Sequence, residues 1–273
     1  MLAFIHIEKA AGTTITTILR QSFGLGHCDL ASWHEYRQEY ATPSATDLHR
    51  ALLFYPRLKS ISGHIVVPHC GYEQICPGIR YYTFLREPLK RCASHYQHQV
   101  QTMDKEPPPF EEWIQQEVYH NFITKKLATS GRAEDAIETL ESRVGCTGLV
   151  ERFDESLLLL RRWANLPELD IRYQRQNVAP RDEIKNELLW NASSRQAIID
   201  TNQEDLELYN HVVKELFPRQ LAEYGAALES DLEAFRNANT PPRLYPGQLP
   251  SFVFRHAIYR PAARLTSALH RAA

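Results

Sequence analysis

No apolar run in this 273-residue chain approaches the roughly 20 residues that a membrane-spanning helix needs. No signal peptide is expected either, because a short apolar strand and its loop are read almost from Met1. Neither sign of charge dominates. The 31 Lys and Arg against 33 Asp and Glu leave a net −2 and a pI of about 6.6, so bulk electrostatics give no reason to expect a nucleic-acid partner. Cysteine is sparse, and its five copies at irregular spacing argue against a disulfide framework and for a reducing, cytoplasmic setting. Acid is absent from residues 241 to 273, which hold Arg243, Arg255, Arg260, Arg264 and Arg271; the rest of the chain has 26 basic against 33 acidic residues, or −7.

The length suits one large α/β domain, or one domain with an appendage, and is ample for a full core. The most informative stretch is Phe4-Ile5-His6-Ile7-Glu8-Lys9-Ala10-Ala11-Gly12-Thr13-Thr14. Met1 to Ile7 reads as a buried parallel strand, and Ile15, Ile18, Leu19 and Phe23 then recur at helical spacing. The turn between them delivers the chain into a helix N-terminus, where unpaired N–H groups and the positive end of the helix dipole favour an anion. Ala10, Ala11 and Gly12 let the backbone approach that anion, Thr13 and Thr14 offer hydroxyls, and Lys9 offers a point charge. In a Walker A loop the lysine follows the last glycine; here Lys9 precedes Gly12 by three positions, so the turn is not of that type.

A second motif follows a short strand read at Leu58 to Ile61: Ser62-Gly63-His64 sits at its end, and open α/β sheets bind ligands at the carboxyl ends of their strands. The third runs from Ile79 to Tyr96. Tyr81 to Leu85 forms a strand, Pro88 suits the first turn of a helix, Arg86 stands at the strand end and Ser94 about two turns into the helix. An arginine fork and a hydroxyl converging in this way suit a terminal phosphate monoester.

Lys9-Ala10-Ala11-Gly12-Thr13-Thr14 resembles the 5′-phosphosulfate loop of sulfotransferases that use 3′-phosphoadenosine 5′-phosphosulfate (PAPS), especially sulfotransferase family 2, the group of the heparan sulfate 2-O- and 6-O-sulfotransferases and their bacterial relatives. Ser62-Gly63-His64 is similar to the segment that carries that group's proposed general base. Arg86, Pro88, Arg91 and Ser94 match its 3′-phosphate motif, with Glu87 in place of the usual Asp. Gly148-Leu149-Val150-Glu151-Arg152-Phe153-Asp154-Glu155-Ser156 resembles a further segment of the group and reads as structural. The resemblance spans about Phe4 to Phe217. It implies an α/β, three-layer P-loop-like fold with a central parallel sheet flanked by helices, PAPS as sulfuryl donor, and a hydroxylated acceptor such as a glycan or small metabolite. The Golgi relatives carry a membrane anchor ahead of the domain; none is read here, which implies a bacterial cytosolic enzyme.

On that basis Lys9 and His64 are the expected catalytic residues, and Lys9, Ala10, Ala11, Gly12, Thr13, Thr14, Arg86, Ser94 and Asn177 the expected cofactor contacts, Asn177 with Arg175 in a loop that closes over the nucleotide in relatives. No metal is expected, since His64, His69, Cys70 and Cys76 fit no standard zinc spacing. Two rivals stand beside this expectation: a P-loop-type nucleotide kinase, which would need Mg²⁺ and a Walker B aspartate not found here, and a non-catalytic module that only binds the nucleotide.

Elsewhere, helical patterns occupy Ser44 to Phe54, Phe110 to Leu127 and Glu134 to Arg143, the last two suited to lining an acceptor groove. Cys146 to Val150 is a strand candidate, Asp154 a helix cap, and Thr201 with Glu204 a capping box for a helix that Pro218 ends. Residues 1–217 are expected to form the sulfotransferase domain, and 218–273 a C-terminal helical extension with a basic tail. That tail, with Phe252, Val253, Phe254, Ile258, Tyr259, Leu265 and Leu269 among its arginines, would either dock on the acidic body or make peripheral contact with an anionic surface.

Overall fold

A computed structural model describes residues 1–34, 43–102, 107–174, 182–238, 240 and 248–272. Five strands, β1 (Leu2–Ile5), β2 (His27–Asp29), β3 (Ser60–Gly63), β4 (Arg80–Leu85) and β5 (Val144–Leu149), form one sheet in the order β2-β3-β1-β4-β5. Every pairing is parallel. All four residues of β1 are buried, so both faces of the sheet are covered. The α/β architecture, a central parallel sheet flanked by helices, is therefore the one expected.

Three of the four connections carry α-helices, and β3 is joined to β4 through two short 3-10 turns, Pro68–Cys70 and Tyr72–Gln74. α1 (Gly12–Phe23) follows β1, and α2 (Ala45–Phe54) follows β2, with Ser44 accepting the Thr46 N–H as its cap. α3 (Pro88–Thr102) follows β4, and the Glu87 carboxylate accepts the N–H groups of Leu89 at 3.2 Å and Lys90 at 2.8 Å. The longer Glu87 thus still caps the helix. Between α3 and β5 lie α4 (Phe110–Trp113), α5 (Phe122–Leu127) and α6 (Ala133–Arg143). The continuous pattern read over 110–127 is broken into short turns. Its aromatics Phe110, Trp113 and Tyr119 are buried in a second core against Leu89, Cys92 and Ala93 of α3, where they pack rather than line a groove.

Two of the expected caps are made differently. α7 (Phe153–Ala164) begins after Arg152, and Asp154, inside its first turn, accepts hydrogen bonds from Tyr173 at 2.8 Å and Arg236 at 3.1 Å. After α8 (Glu183–Trp190) and α9 (Ala192–Thr201), α10 (Gln203–His211) starts after Asn202; Thr201 bonds back to Ala197 O, and Glu204 accepts the Ala133 N–H at the start of α6. No capping box forms.

Pro218 does not end its helix. The chain passes through a π-helical turn, Val212–Leu216, straight into α11 (Phe217–Tyr224), with Phe217 N–H bonded to Val212 O. The same device recurs at Pro261. α13 (Gln248–Phe254), which follows α12 (Leu228–Ala238), runs through the π turn Arg255–Tyr259 into α14 (Arg260–Ala272). The extra residue in each turn lets the helix accept a proline that has no N–H to give. Tyr224, Phe235, Tyr259 and Ala263 are buried in the same core as the sheet.

Candidate functional site

Because β3, β1 and β4 are neighbours and parallel, the residues that follow them emerge side by side on one edge of the sheet, with Ile5 in register with Gly63 on one side and Thr83 on the other. His64 follows β3, the turn with Lys9 follows β1, and Arg86 follows β4. Three motifs far apart in the chain therefore meet at the carboxyl edge.

The β1 turn is held in an unusual shape. Lys9 and Ala11 both have positive φ, 68° and 60°. A left-handed conformation outside glycine costs about 1 kcal/mol or more per residue, and such strain concentrates at ligand sites. Ala11, as the residue before α1, supplies no side-chain cap, and the first turn holds no acid. The positive end of α1 thus points to this edge of the sheet with no side-chain cap from Ala11 and no acid of its own first turn to offset it. Gly12 has a steric reason: a Cβ there would lie 1.7 Å from Nε2 of His6. Ala10 is fully buried, Thr14 nearly so, and Thr13 exposed.

Arg86 Nη1 donates to the carbonyl of Lys9 at 3.1 Å, which ties the β4 end to the turn. Burial and the charge of Arg86 push the Lys9 pKa down to about 8. Burial also lowers that of Arg86, although Glu151, Asp182 and Glu87 favour its charged form. Among the described residues neither cation belongs to an ion pair. Ser94, half-buried on α3, likewise has a hydroxyl with no hydrogen-bond partner among them. Arg91 differs: it is fully buried, its guanidinium over the Phe122 ring at 4.7 Å and bonded to His95 at 3.3 Å, so it locks α3 to α5. Asn177 and Arg175 lie outside the described residues.

His64 is half-exposed, and its Nδ1–H donates to Glu8 Oε1 at 2.9 Å. Gly63 enables the turn that presents it, with φ at 152° and the place of a Cβ only 2.8 Å from Leu30 O. The same Glu8 oxygen accepts from Lys126 Nζ at 3.2 Å. Burial opposes ionisation of Glu8, but the Lys126 ammonium and the His64 ring outweigh it and hold the carboxyl well below the usual carboxylate range. Behind it lies His6, whose ring centroid is 4.2 Å from that of His64. Burial, reinforced by the His64 charge, pushes its pKa down to about 3, so His6 is neutral. Fixing Nδ1 of an imidazole on a carboxylate leaves Nε2 to accept a proton and stabilises the imidazolium that results.

Glu8 and Lys126 were not singled out by the sequence. A buried carboxylate directly after an apolar strand was the available signal for Glu8; Lys126 comes from α5, and only the fold brings it close. Among the described residues no group of three or more His, Cys, Asp or Glu is arranged to hold a metal, and no helix is long and apolar enough to cross a membrane.

No family model matches the chain, and no protein of curated function matches it in sequence. Among solved structures, a sulfotransferase from Alicyclobacillus acidocaldarius is similar over 72% of this chain and 94% of its own, with 13% sequence identity and a TM-score of 0.39. A likeness that shallow carries no argument about chemistry.

Proposed function

We propose that the protein is a sulfotransferase that moves a sulfuryl group from PAPS to the hydroxyl of a glycan or small metabolite. The observation that carries this reading is the pair of cations Lys9 and Arg86, joined through the Lys9 carbonyl and without an acid partner among the described residues, beside a carboxylate-held histidine. One end of that arrangement is a helix N-terminus without a side-chain cap from Ala11; the other is Arg86 with Ser94 on the next helix, whose hydroxyl has no partner among the described residues. A nucleotide charged at both its 5′ and 3′ ends fits these two ends, and the donor set requires no metal.

When bound, PAPS supplies a sulfuryl group on a good leaving group, the 5′-phosphate of 3′-phosphoadenosine 5′-phosphate. Arg86 and Ser94 would hold the 3′-phosphate. Lys9 and the N–H groups of Gly12, Thr13 and Thr14 would take the 5′ end and neutralise charge on the oxygen that leaves. His64 Nε2 would remove the proton from the acceptor hydroxyl as its oxygen bonds to sulfur, and Glu8 would stabilise the imidazolium. The proton ends on His64, the electron pair of the broken S–O bond on the leaving phosphate.

The reading is tested by incubating the protein with sulfur-labelled PAPS and a panel of hydroxylated acceptors, with EDTA present. Label transferred by the wild type and not by His64→Ala is the expected outcome. Transfer that needs added Mg²⁺, or that survives unchanged in His64→Ala, contradicts it.

A further inference from the structure

Residues 248–272 form one continuous helix about 37 Å long at 1.5 Å per residue. A helix packed on a globular body ordinarily turns its large apolar side chains inward. This one buries Ser251, Tyr259, Ala263 and Ser267 instead. Ser251 Oγ donates to Gly24 O at 3.1 Å, Arg255 Nη1 to Asp29 at 2.9 Å and Ser267 Oγ to His34 O at 2.8 Å, while Tyr259 packs edge-on against Trp33, Phe54 and Tyr55. The helix is thus docked by two aromatics, Tyr259 and the half-buried Phe254 against Tyr55, set among small and polar side chains.

Its outward face carries Leu249, Phe252, Val253, Ile258, Leu265 and Leu269, each about half exposed or more, with Leu265 at 64% and Leu269 at 63%. Leu265 and Leu269 are four apart and so lie on one side of α14, opposite Ala263 and Ser267. Arg260 and Arg264 share this helix, and no acid occurs from 241 to 273. We propose that this face docks the protein on an anionic lipid bilayer, with the helix lying in the interface. Charge complementarity selects that occupant: an apolar stripe on a helix with arginines and no acid matches acyl chains beneath anionic headgroups. A second copy of the chain would set the same arginines against each other, and like charges oppose that pairing.

The test is co-sedimentation of the full chain with phosphatidylcholine vesicles, with and without phosphatidylglycerol. The wild type should bind the anionic vesicles and not the neutral ones, and more weakly as salt rises. Leu265→Glu/Leu269→Glu should lower partitioning at least about tenfold. Arg260→Gln/Arg264→Gln should lower it by about fivefold per arginine. Trp190→Ala, which removes an exposed apolar side chain on α8, should leave it unchanged. Circular dichroism and thermal midpoint establish that each variant is folded. Equal sedimentation with neutral and anionic vesicles, or full binding by the folded Leu265→Glu/Leu269→Glu protein, overturns the proposal. So does concentration-dependent self-association that this double variant abolishes, since a second copy would then cover the face.

Discussion

Two cationic centres stand on the same carboxyl edge of the sheet, and they are finished differently. At the end of β2, Asp29 is taken by Arg20 at 2.6 Å, Arg255 at 2.9 Å and His27 at 3.2 Å. At the ends of β1 and β4, Lys9 and Arg86 meet with no carboxylate paired to either among the described residues. The first centre is closed and joins the C-terminal helix to the sheet. The second brings together two cations that no described carboxylate pairs with directly, at the cost of two strained backbone residues and a lowered lysine pKa. A closed cluster is explained by the chain itself; an open one calls for an external anion.

Breaking the closed centre should have the largest effect. Asp29→Ala leaves Arg20, His27 and Arg255 without their shared acceptor in a part-buried place, and removing one partner of such a set costs about 3 to 5 kcal/mol. Chemical denaturation should register that loss, while nucleotide affinity of the remaining folded protein stays near wild type. Acid should act on the same centre. Burial opposes ionisation of Asp29, but the His27 hydrogen bond and the Arg20 guanidinium outweigh it and hold the carboxyl well below its ordinary range. Its stabilisation is therefore full above the unfolded value near pH 4 and lost as the pH falls further.

Changes at Lys9 and at the half-exposed His64 should spare stability and remove chemistry. His64→Ala and Lys9→Ala are expected to lower kcat by about two orders of magnitude or more, with nucleotide affinity less affected for His64. Glu8→Gln keeps the shape but not the charge, so it should lower kcat and shift the pH–rate profile, whereas a purely structural role would leave that profile in place.

Much of this site was legible because each motif is local. The strand, turn and helix around Lys9, the glycine before His64, and Arg86 at a strand end are all set by neighbours within a few residues. Their adjacency was not legible, because the order β2-β3-β1-β4-β5 depends on pairings between residues nearly 60 to 80 positions apart. Lys126, 118 residues from Glu8, is hidden for the same reason. Pro218 misled in another way: a missing donor ends a regular α-helix, but a π turn placed just before it absorbs the defect, as a second one does before Pro261, and no residue type announces that turn.

Smaller effects sharpen the contrast further. Arg86→Ala should erase a preference for a 3′-phosphate worth about 1.5 to 3 kcal/mol, the value of a charge-assisted pair. Lys9 supplies a pH signature: because burial and Arg86 push its pKa down to about 8, affinity for an anionic nucleotide should fall as the pH rises above that point, by at most about tenfold per unit. Lys9→Arg should keep affinity on the alkaline side, since a guanidinium stays charged there.

The most direct measurement is calorimetric titration of the wild-type protein with 3′-phosphoadenosine 5′-phosphate and with AMP under the same conditions. If the Lys9 end and the Arg86–Ser94 end hold one doubly charged nucleotide, the 3′-phosphorylated form binds about ten- to hundredfold more tightly. Equal affinity for the two, or no binding of either, contradicts the account.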